Sequence, residues 1–356
     1  GNIAAYLAGA ARCEIHRRHS LTWRTRIAAA LFVLAGLAAP AAPAQVIKLG
    51  TIAPDGSPWL DAIRGMAEEW KVATGGKVEF RIYPGGVVGD DPDMVRKLRI
   101  GQLQAAALSS TGLYDIAHEV QALQMPMMIT SYEELDYVRD RMAPKLEAIL
   151  ESKGFKVLNW GDAGWVHFFS QQPLLHPADL KPMKLWVWAG YPAYVEAWKD
   201  AGFHPVELAS TDILTGLQAG LIDAFPAPPL LALANQWFGV AKQMCDVKWA
   251  PAIGATVITT KAWQTLDPNV REKLLAVSRE AGLRLRGEVR KLDDEAVNAM
   301  VKRGLVVNHI PPEGVAEFEL VAIESAYPKL IGQVVPAGIV AEVQKLGGVA
   351  AFIDAE

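Results

Sequence analysis

The chain has 356 residues, 51% of them hydrophobic, with 35 Lys and Arg against 39 Asp and Glu and a formal net charge of −4. That length favours two lobes over one and leaves room for a large core. A mildly acidic balance lacks the electrostatic footprint of a nucleic-acid-binding protein, and two cysteines exclude a disulfide framework.

Residues 1–44 read as a secretory signal peptide. Arg17, Arg18, Arg24 and Arg26 form a basic region, residues 27–37 an apolar run, and Ala42-Pro43-Ala44 a small-x-small cleavage pattern ahead of Gln45. The apolar run is too short for a stable membrane span and no later run reaches about 18 residues, so a soluble exported protein is expected. The segment holds five of the 35 basic residues and one of the 39 acidic ones, and its removal leaves 30 against 38. Cys13 leaves with it. Cys245 then has no intramolecular partner and reads as a buried small apolar residue.

From residue 45 short apolar runs alternate with longer amphipathic ones, an α/β pattern. A strand over 46–52 ends at Pro54-Asp55-Gly56. Ser57-Pro58 then supplies the cap and first-turn proline of a helix over 59–74, closed by Gly75-Gly76. Residues 78–83 alternate as a strand and lead into the glycine-rich loop over 84–89. No Gly-Lys-Ser/Thr follows that loop and Gly-x-Gly-x-x-Gly is absent, so it is a turn feeding a helix at 92–101 and not a phosphate cradle. Asp90, Asp91 and Asp93 charge the start of that helix and lack the glycine and distal glutamate of a calcium loop.

A strand near 105–108, a helix over 132–153 and strands at 157–160, 166–170 and 185–188 follow. Next come a helix over 191–200, a strand at 206–208 and a helix over 211–219. Asp267-Pro268 caps a long amphipathic helix over 269–303, with Leu274, Val277, Ala281, Leu285, Val289, Leu292, Ala296 and Met300 as its stripe. At roughly 1.5 Å per residue it is long enough to span a two-lobed molecule, either as a brace or as a dimer contact.

Catalytic patterns are missing. His118, His167, His176, His204 and His309 fall in no metal-binding spacing, and neither Gly-x-Ser-x-Gly nor a supported cysteine nucleophile occurs. No enzyme activity, metal or cofactor is expected. The most informative stretch is instead Lys184-Leu185-Trp186-Val187-Trp188, in which a strand would project both indoles from one face. Taken alone, that is either an aromatic core strand or a binding platform.

Five landmarks in order join into a family pattern. They are IKLGTIAPDGSPW at 47–59, GKVEFRIYPGGVVGDD at 76–91, DLKPMKL at 179–185, TGLQAGLID at 215–223, and Lys261-Ala262-Trp263 before the long helix. Together they resemble the solute-binding subunits of TRAP (tripartite ATP-independent periplasmic) transporters, DctP-like proteins, over essentially the whole mature chain. The resemblance implies a two-lobed periplasmic-binding-protein fold with a ligand cleft between the lobes and a long lobe-spanning helix. Lobe I would take 45–165 plus about 255–275, lobe II 166–254 plus about 300–356, with 269–303 as the connecting helix. It also implies a small-molecule ligand, hinge closure, and delivery to small and large membrane subunits that use an ion gradient.

The departures from the family define the ligand expectation. Trp186 stands where the resemblance implies a carboxylate-clamping arginine, Val166 where a second arginine is common, and the run over 225–229 where a polar residue is usual. An arginine fork matches a carboxylate with two charge-assisted hydrogen bonds, whereas an indole offers one N–H and an apolar face. A largely apolar or aromatic ligand is therefore expected, with Trp165, Trp186, Trp188 and Phe225 as walls and Tyr114 and Trp160 as additions. Trp198, Trp237, Trp249 and Trp263 read as structural. The alternatives are a carboxylate held by Arg81, Arg96 or Arg99, and a ligand sensor that docks a receptor instead of a transporter.

Overall fold

The computed structural model describes residues 44–353; the expected signal peptide, apart from Ala44, lies outside them. One mixed sheet organises the chain. Its strands are β1 (Gln45–Thr51), β2 (Val78–Tyr83), β3 (Ala105–Ser109), β4 (Phe155–Ser170), β5 (Lys184–Trp188), β6 (His204–Leu208), β7 (Ala224–Ala227), β8 (Gln243–Thr259) and β9 (Val306–Asn308). They run in the order β2-β1-β3-β8-β4-β7-β5-β6, with β9 added to β8.

The order resolves into two parallel sets joined by an antiparallel ribbon. β1 pairs in parallel with β2 and β3, and β5 in parallel with β6 and β7. Between them β4 and β8 pair from Phe155↔Thr259 to Ser170↔Gln243. β3 takes the C-terminal part of β8, whereas β7 takes the end of β4 and β9 the start of β8. Each ribbon strand thus serves the first half at one end and the second half at the other, which is the two-lobed α/β architecture.

The ribbon explains two departures from the sequence reading. The segments at 157–160 and 166–170 are one continuous strand of 16 residues, interrupted by bulges at Val157/Asn159, Asp162/Gly164 and Val166/Phe168. Those bulges and Gly161 and Gly164 break the two-residue alternation that a strand normally displays. β8 was not expected at all. Its 17 residues include Pro251 and Gly254 and are buried along most of their length, so neither periodicity nor composition marks a strand.

Helices brace the ribbon. The long helix spans Pro268–Val301, starts on Asp267, which caps Asn269 N, and packs along β4, the helix Pro58–Ala73 and the helix Pro229–Ala234. Those two helices lie in different halves, so the long helix spans both. Trp70 donates to Ser278 of the long helix at 2.9 Å, inside an otherwise apolar contact. The C-terminal assignment needs a correction. Phe318 joins the second half's core, but Leu330, Val335, Val340 and Val343 pack with Leu146 and Leu150 of the helix Tyr132–Ser152 in the first. The segment over 300–356 is therefore shared, because its last apolar residues complete the first half's core.

Gly282 marks the closest approach of the long helix to the ribbon. A Cβ there would lie 2.7 Å from the Trp160 carbonyl oxygen and 2.8 Å from Asn159 Cβ, whereas one at Gly287 would meet nothing within 4 Å. Gly282→Leu should destabilise the fold by about 1–3 kcal/mol through overpacking. Gly287→Leu should leave stability within about 0.5 kcal/mol or raise it. Urea denaturation midpoints of the two variants check the difference.

Candidate functional site

The parallel strands of both halves end at one cavity of about 380 Å³. Open α/β sheets bind ligands outside the carboxyl ends of their strands, at the switch in strand order, and this cavity occupies such a place. Thr51 to Ala53 after β1 and Ala107 to Ser110 around the end of β3 line it from the first half. Trp186 and Trp188 of β5, Ser210, Thr211 and Pro226 to Pro228 line it from the second, and Gly161 to Ala163 with Ala252 to Thr256 form its ribbon wall. The bulge at Asp162/Gly164 lies in that wall, where it re-aims the strand between the halves.

Four tryptophans line the cavity: Trp59, Trp186, Trp188 and Trp237. Trp186 and Trp188 share a face of β5 with ring centroids 5.0 Å apart, while Leu185 turns to a separate core cluster. Three of the indole N–H groups are already engaged by protein. Trp59 Nε1 donates to the Asp162 carbonyl at 3.0 Å, Trp186 Nε1 to the Leu208 carbonyl at 3.1 Å, and Trp188 Nε1 to Asp90 Oδ2 at 2.8 Å. Those three side chains therefore have apolar surface, and no N–H, to offer a ligand.

Among the described residues no lysine, arginine or histidine lines the cavity, and Asp162 is the one ionisable group in its lining. That carboxylate is 2% exposed and is neutralised from behind. Arg139 of the helix Tyr132–Ser152 meets Oδ1 at 2.5 Å, and Arg290 of the long helix meets Oδ2 at 2.6 Å. Asp136 bridges the same two guanidiniums, and Arg286 joins at 3.3 Å. Burial alone would push Asp136 up, but the Arg290 hydrogen bond and the charges of Arg139, Arg290 and Arg286 hold it below the usual carboxylate range. The remaining polar lining is neutral. Among the described residues Gln124 Nε2, Asn159 Oδ1 and Asn235 Oδ1 have no protein partner, although Gln124 Oε1 accepts from Ile253 N and Asn235 Nδ2 donates to Leu231 O.

The structure separates the expected site residues. Trp186 and Trp188 line the cavity; Trp165, Phe225, Tyr114 and Trp160 do not. Trp165 and Val166 point to opposite strand faces, and it is Val166 that reaches the cavity, while Trp165 packs on Tyr132 at 5.4 Å between centroids. Phe225 is fully buried and stacked on Phe169, one residue out of step with Pro226. Trp160 donates outward to Glu147 at 2.9 Å, and Tyr114 stacks on His118 at 4.3 Å. Trp237, expected to be structural, does pack in the second half's core, edge-on to Phe225 at 5.3 Å, and also lines the cavity. Arg81, Arg96 and Arg99 are exposed and away from the cavity, and Arg96 pairs with Asp93 at 2.7 Å, so none is placed to hold a ligand there.

The family model for bacterial extracellular solute-binding protein, family 7 (DctP), matches residues 49–331. The chain belongs to that family. Among curated relatives it is 25% identical over 236 residues to the 2,3-diketo-L-gulonate-binding periplasmic protein YiaO of Escherichia coli (strain K12), covering 66% of this chain and 72% of that one. It is 22% identical over 239 residues to the C4-dicarboxylate-binding periplasmic protein DctP of Vibrio cholerae, covering 67% and 72%. A TRAP periplasmic solute-binding protein from Ralstonia eutropha H16, solved with bound (S)-2-acetolactate, superposes with a TM-score of 0.80 at 23% identity over 85% of this chain and 99% of that one. Another from Xanthobacter autotrophicus Py2, with bound β-D-galacturonate, gives 0.78 at 18% identity over 85% and 99%. The fold is that of TRAP solute-binding proteins, a transport family. Among the described residues no helix is long and apolar enough to cross a membrane.

Behind the ribbon, burial raises the Asp293 carboxyl to about 7, against partial relief from hydrogen bonds donated by the Leu230 and Trp165 amides. An acid raised on folding takes up protons in the folded state, so it weakens stability as pH rises from about 4 through about 7. Asp293→Asn should therefore gain stability over the parent with rising pH, on the order of 2 kcal/mol at pH 8 and close to nothing at pH 4. Urea titrations of both proteins at a series of pH values check the sign. A gap that widened toward acid would contradict the buried, uncompensated carboxyl.

Proposed function

We propose that the chain is the periplasmic solute receptor of a TRAP-type secondary transporter and takes an uncharged, largely apolar or aromatic small molecule in this cavity. After cleavage near Ala44/Gln45 it would deliver that molecule to the small and large membrane subunits. One observation carries the ligand class: among the described residues the cavity lining offers no free cation, and its one carboxylate, Asp162, is already matched by Arg139 and Arg290. An anionic ligand would enter unpaired, at a cost of several kcal/mol. An uncharged ring pressed on indole faces gains about 25 cal/mol per Å² of apolar surface buried, or about 6 kcal/mol for roughly 250 Å², before ordering costs. Gln124, Asn159 and Asn235 supply neutral partners for one polar edge of such a ligand.

The acids bound by the solved relatives favour a second reading, in which an organic carboxylate displaces Asp162 from Arg139 and Arg290. Mass spectrometry of the natively purified protein after extraction with organic solvent separates the two. A stoichiometric uncharged aromatic or apolar compound supports the first, and a small polar acid supports the second. Trp186→Arg should weaken binding of the recovered uncharged compound at least about tenfold, since it loses apolar contact and introduces an unpaired buried charge. Calorimetry with that compound provides the check. Unchanged affinity would remove Trp186 from the site.

A further inference from the structure

Asp90 ends the glycine-rich loop of the first half and is 6% exposed. Its carboxylate accepts three hydrogen bonds from the second half. Trp188 Nε1 and Ser210 N each reach Oδ2 at 2.8 Å, and Ser210 Oγ reaches Oδ1 at 2.7 Å. The fourth, from Asp91 N to Oδ1 at 2.9 Å, is local. Among the described residues no lysine or arginine forms an ion pair with Asp90, so donors from the opposite half provide most of what water would otherwise supply. Both of those donors, Trp188 and Ser210, line the cavity. The loop itself presses on the second half: a Cβ at Gly86, which sits at φ +72°, would come 2.7 Å from Thr211 Cγ2.

We propose that Asp90 is a positioning residue for ligand binding, a clasp that ties closure of the two halves to the placement of the Trp188 indole as a cavity wall. The proposal rests on the reading of this cavity as the ligand site. Separation of the halves would return the carboxylate to water and free the indole to turn, so the wall exists only when the clasp is made. A carboxylate suits the task because both of its oxygens accept. An amide at this position would present one acceptor and set its NH₂ against donors.

The mature chain labelled with nitrogen-15 on tryptophan reads the clasp directly, because each of its ten indoles (Trp23 leaves with the expected signal peptide) gives its own N–H signal and Trp188→Phe assigns the one in question. Asp90→Asn should shift that signal and speed its hydrogen exchange by about tenfold to a hundredfold, as expected for a lost bond to a charged acceptor. The signals of indoles packed away from the cavity, Trp70 and Trp263, should stay in place. Small-angle scattering should show a larger radius of gyration for Asp90→Asn and for Trp188→Phe, which keeps an aromatic ring, though a smaller one, and removes the donor. With 1-naphthol as an uncharged aromatic probe, both variants should dissociate at least about tenfold faster while association changes less than about twofold. If Asp90→Asn does not fold, Trp188→Phe and Ser210→Ala carry the scattering and dissociation tests. An unmoved Trp188 signal, or variants with parental dimensions and dissociation rate, would overturn the clasp. Failure of the parent protein to bind 1-naphthol would count against the ligand class alone, since the exchange and scattering results stand without it.

Discussion

Asp162 occupies the point where the β4/β8 ribbon passes from one half of the molecule to the other, and its pairing with Arg139 and Arg290 is the constraint on which the rest depends. The two guanidiniums come from different helices, so one carboxylate pins the ribbon to the helix Tyr132–Ser152 and to the long helix together. A buried ion pair is weak evidence for stability, because desolvation offsets most of the attraction. Its consequence here is geometric. With both oxygens engaged the bulge at Asp162/Gly164 is tied to two helices, and the Asp162 carbonyl accepts from Trp59. Gly164, at φ +103°, completes the arrangement, since a Cβ there would collide with the Asp293 carboxylate at 2.8 Å.

The electrostatic character of the cavity follows from the same cluster. Arg139, Arg286 and Arg290 lie behind the ribbon and are shared among Asp136, Asp140 and Asp162, so their charge is spent within the protein wall. The second half then adds indole, proline and alanine surface at the positions where the family resemblance implies polar clamps. Three indole N–H groups are satisfied by the Asp162 carbonyl, the Leu208 carbonyl and Asp90, which removes the one polar group each ring possesses. The cavity thus presents matched internal charge and, from Trp59, Trp186 and Trp188, indole faces without a free donor.

How much of this the sequence discloses depends on which physical signal each residue carries. Trp186 and Trp188 were legible because strand alternation and family position agree, and Leu185 confirms the alternation by facing another core cluster. Trp165 and Phe225 were drawn into the expected site by their size, yet each stands one residue from the side chain that reaches the cavity, Val166 and Pro226, and in a strand one residue is a change of face. Trp59 and Trp237 had no comparable marker. One opens a helix and the other a single 3₁₀ turn, where period-two reasoning does not apply. Asp162 had a signal that went unused: a carboxylate inside an apolar strand requires a partner. Asp90 read correctly as a helix-start charge, but its bonds to Trp188 and Ser210 link positions 98 and 120 residues away and have no local signature.

The absence of a cationic clamp changes what must hold the halves together. A charged ligand bridges two lobes through its own ion pairs, so part of the closure energy enters with it. An uncharged ligand brings only contact area, and the protein has to supply the polar bonds across the seam. Two sets of such bonds lie beside the cavity. Asp90 receives Trp188 and Ser210, and Tyr191 Oη donates to the Thr111 carbonyl at 3.0 Å and Tyr194 Oη to Gln121 Oε1 at 2.9 Å. Burial pushes both phenols well above the usual tyrosine range, so they are protonated donors at neutral pH. Thr111 and Gln121 lie beside the Ser109–Ser110 and Gln124 lining, and Trp188 and Ser210 are lining themselves, so each set of bonds adjoins a cavity wall. Protein-borne hydrogen bonds between the halves therefore end on residues that line or adjoin the cavity, so contact between the halves and the shape of the cavity are set together.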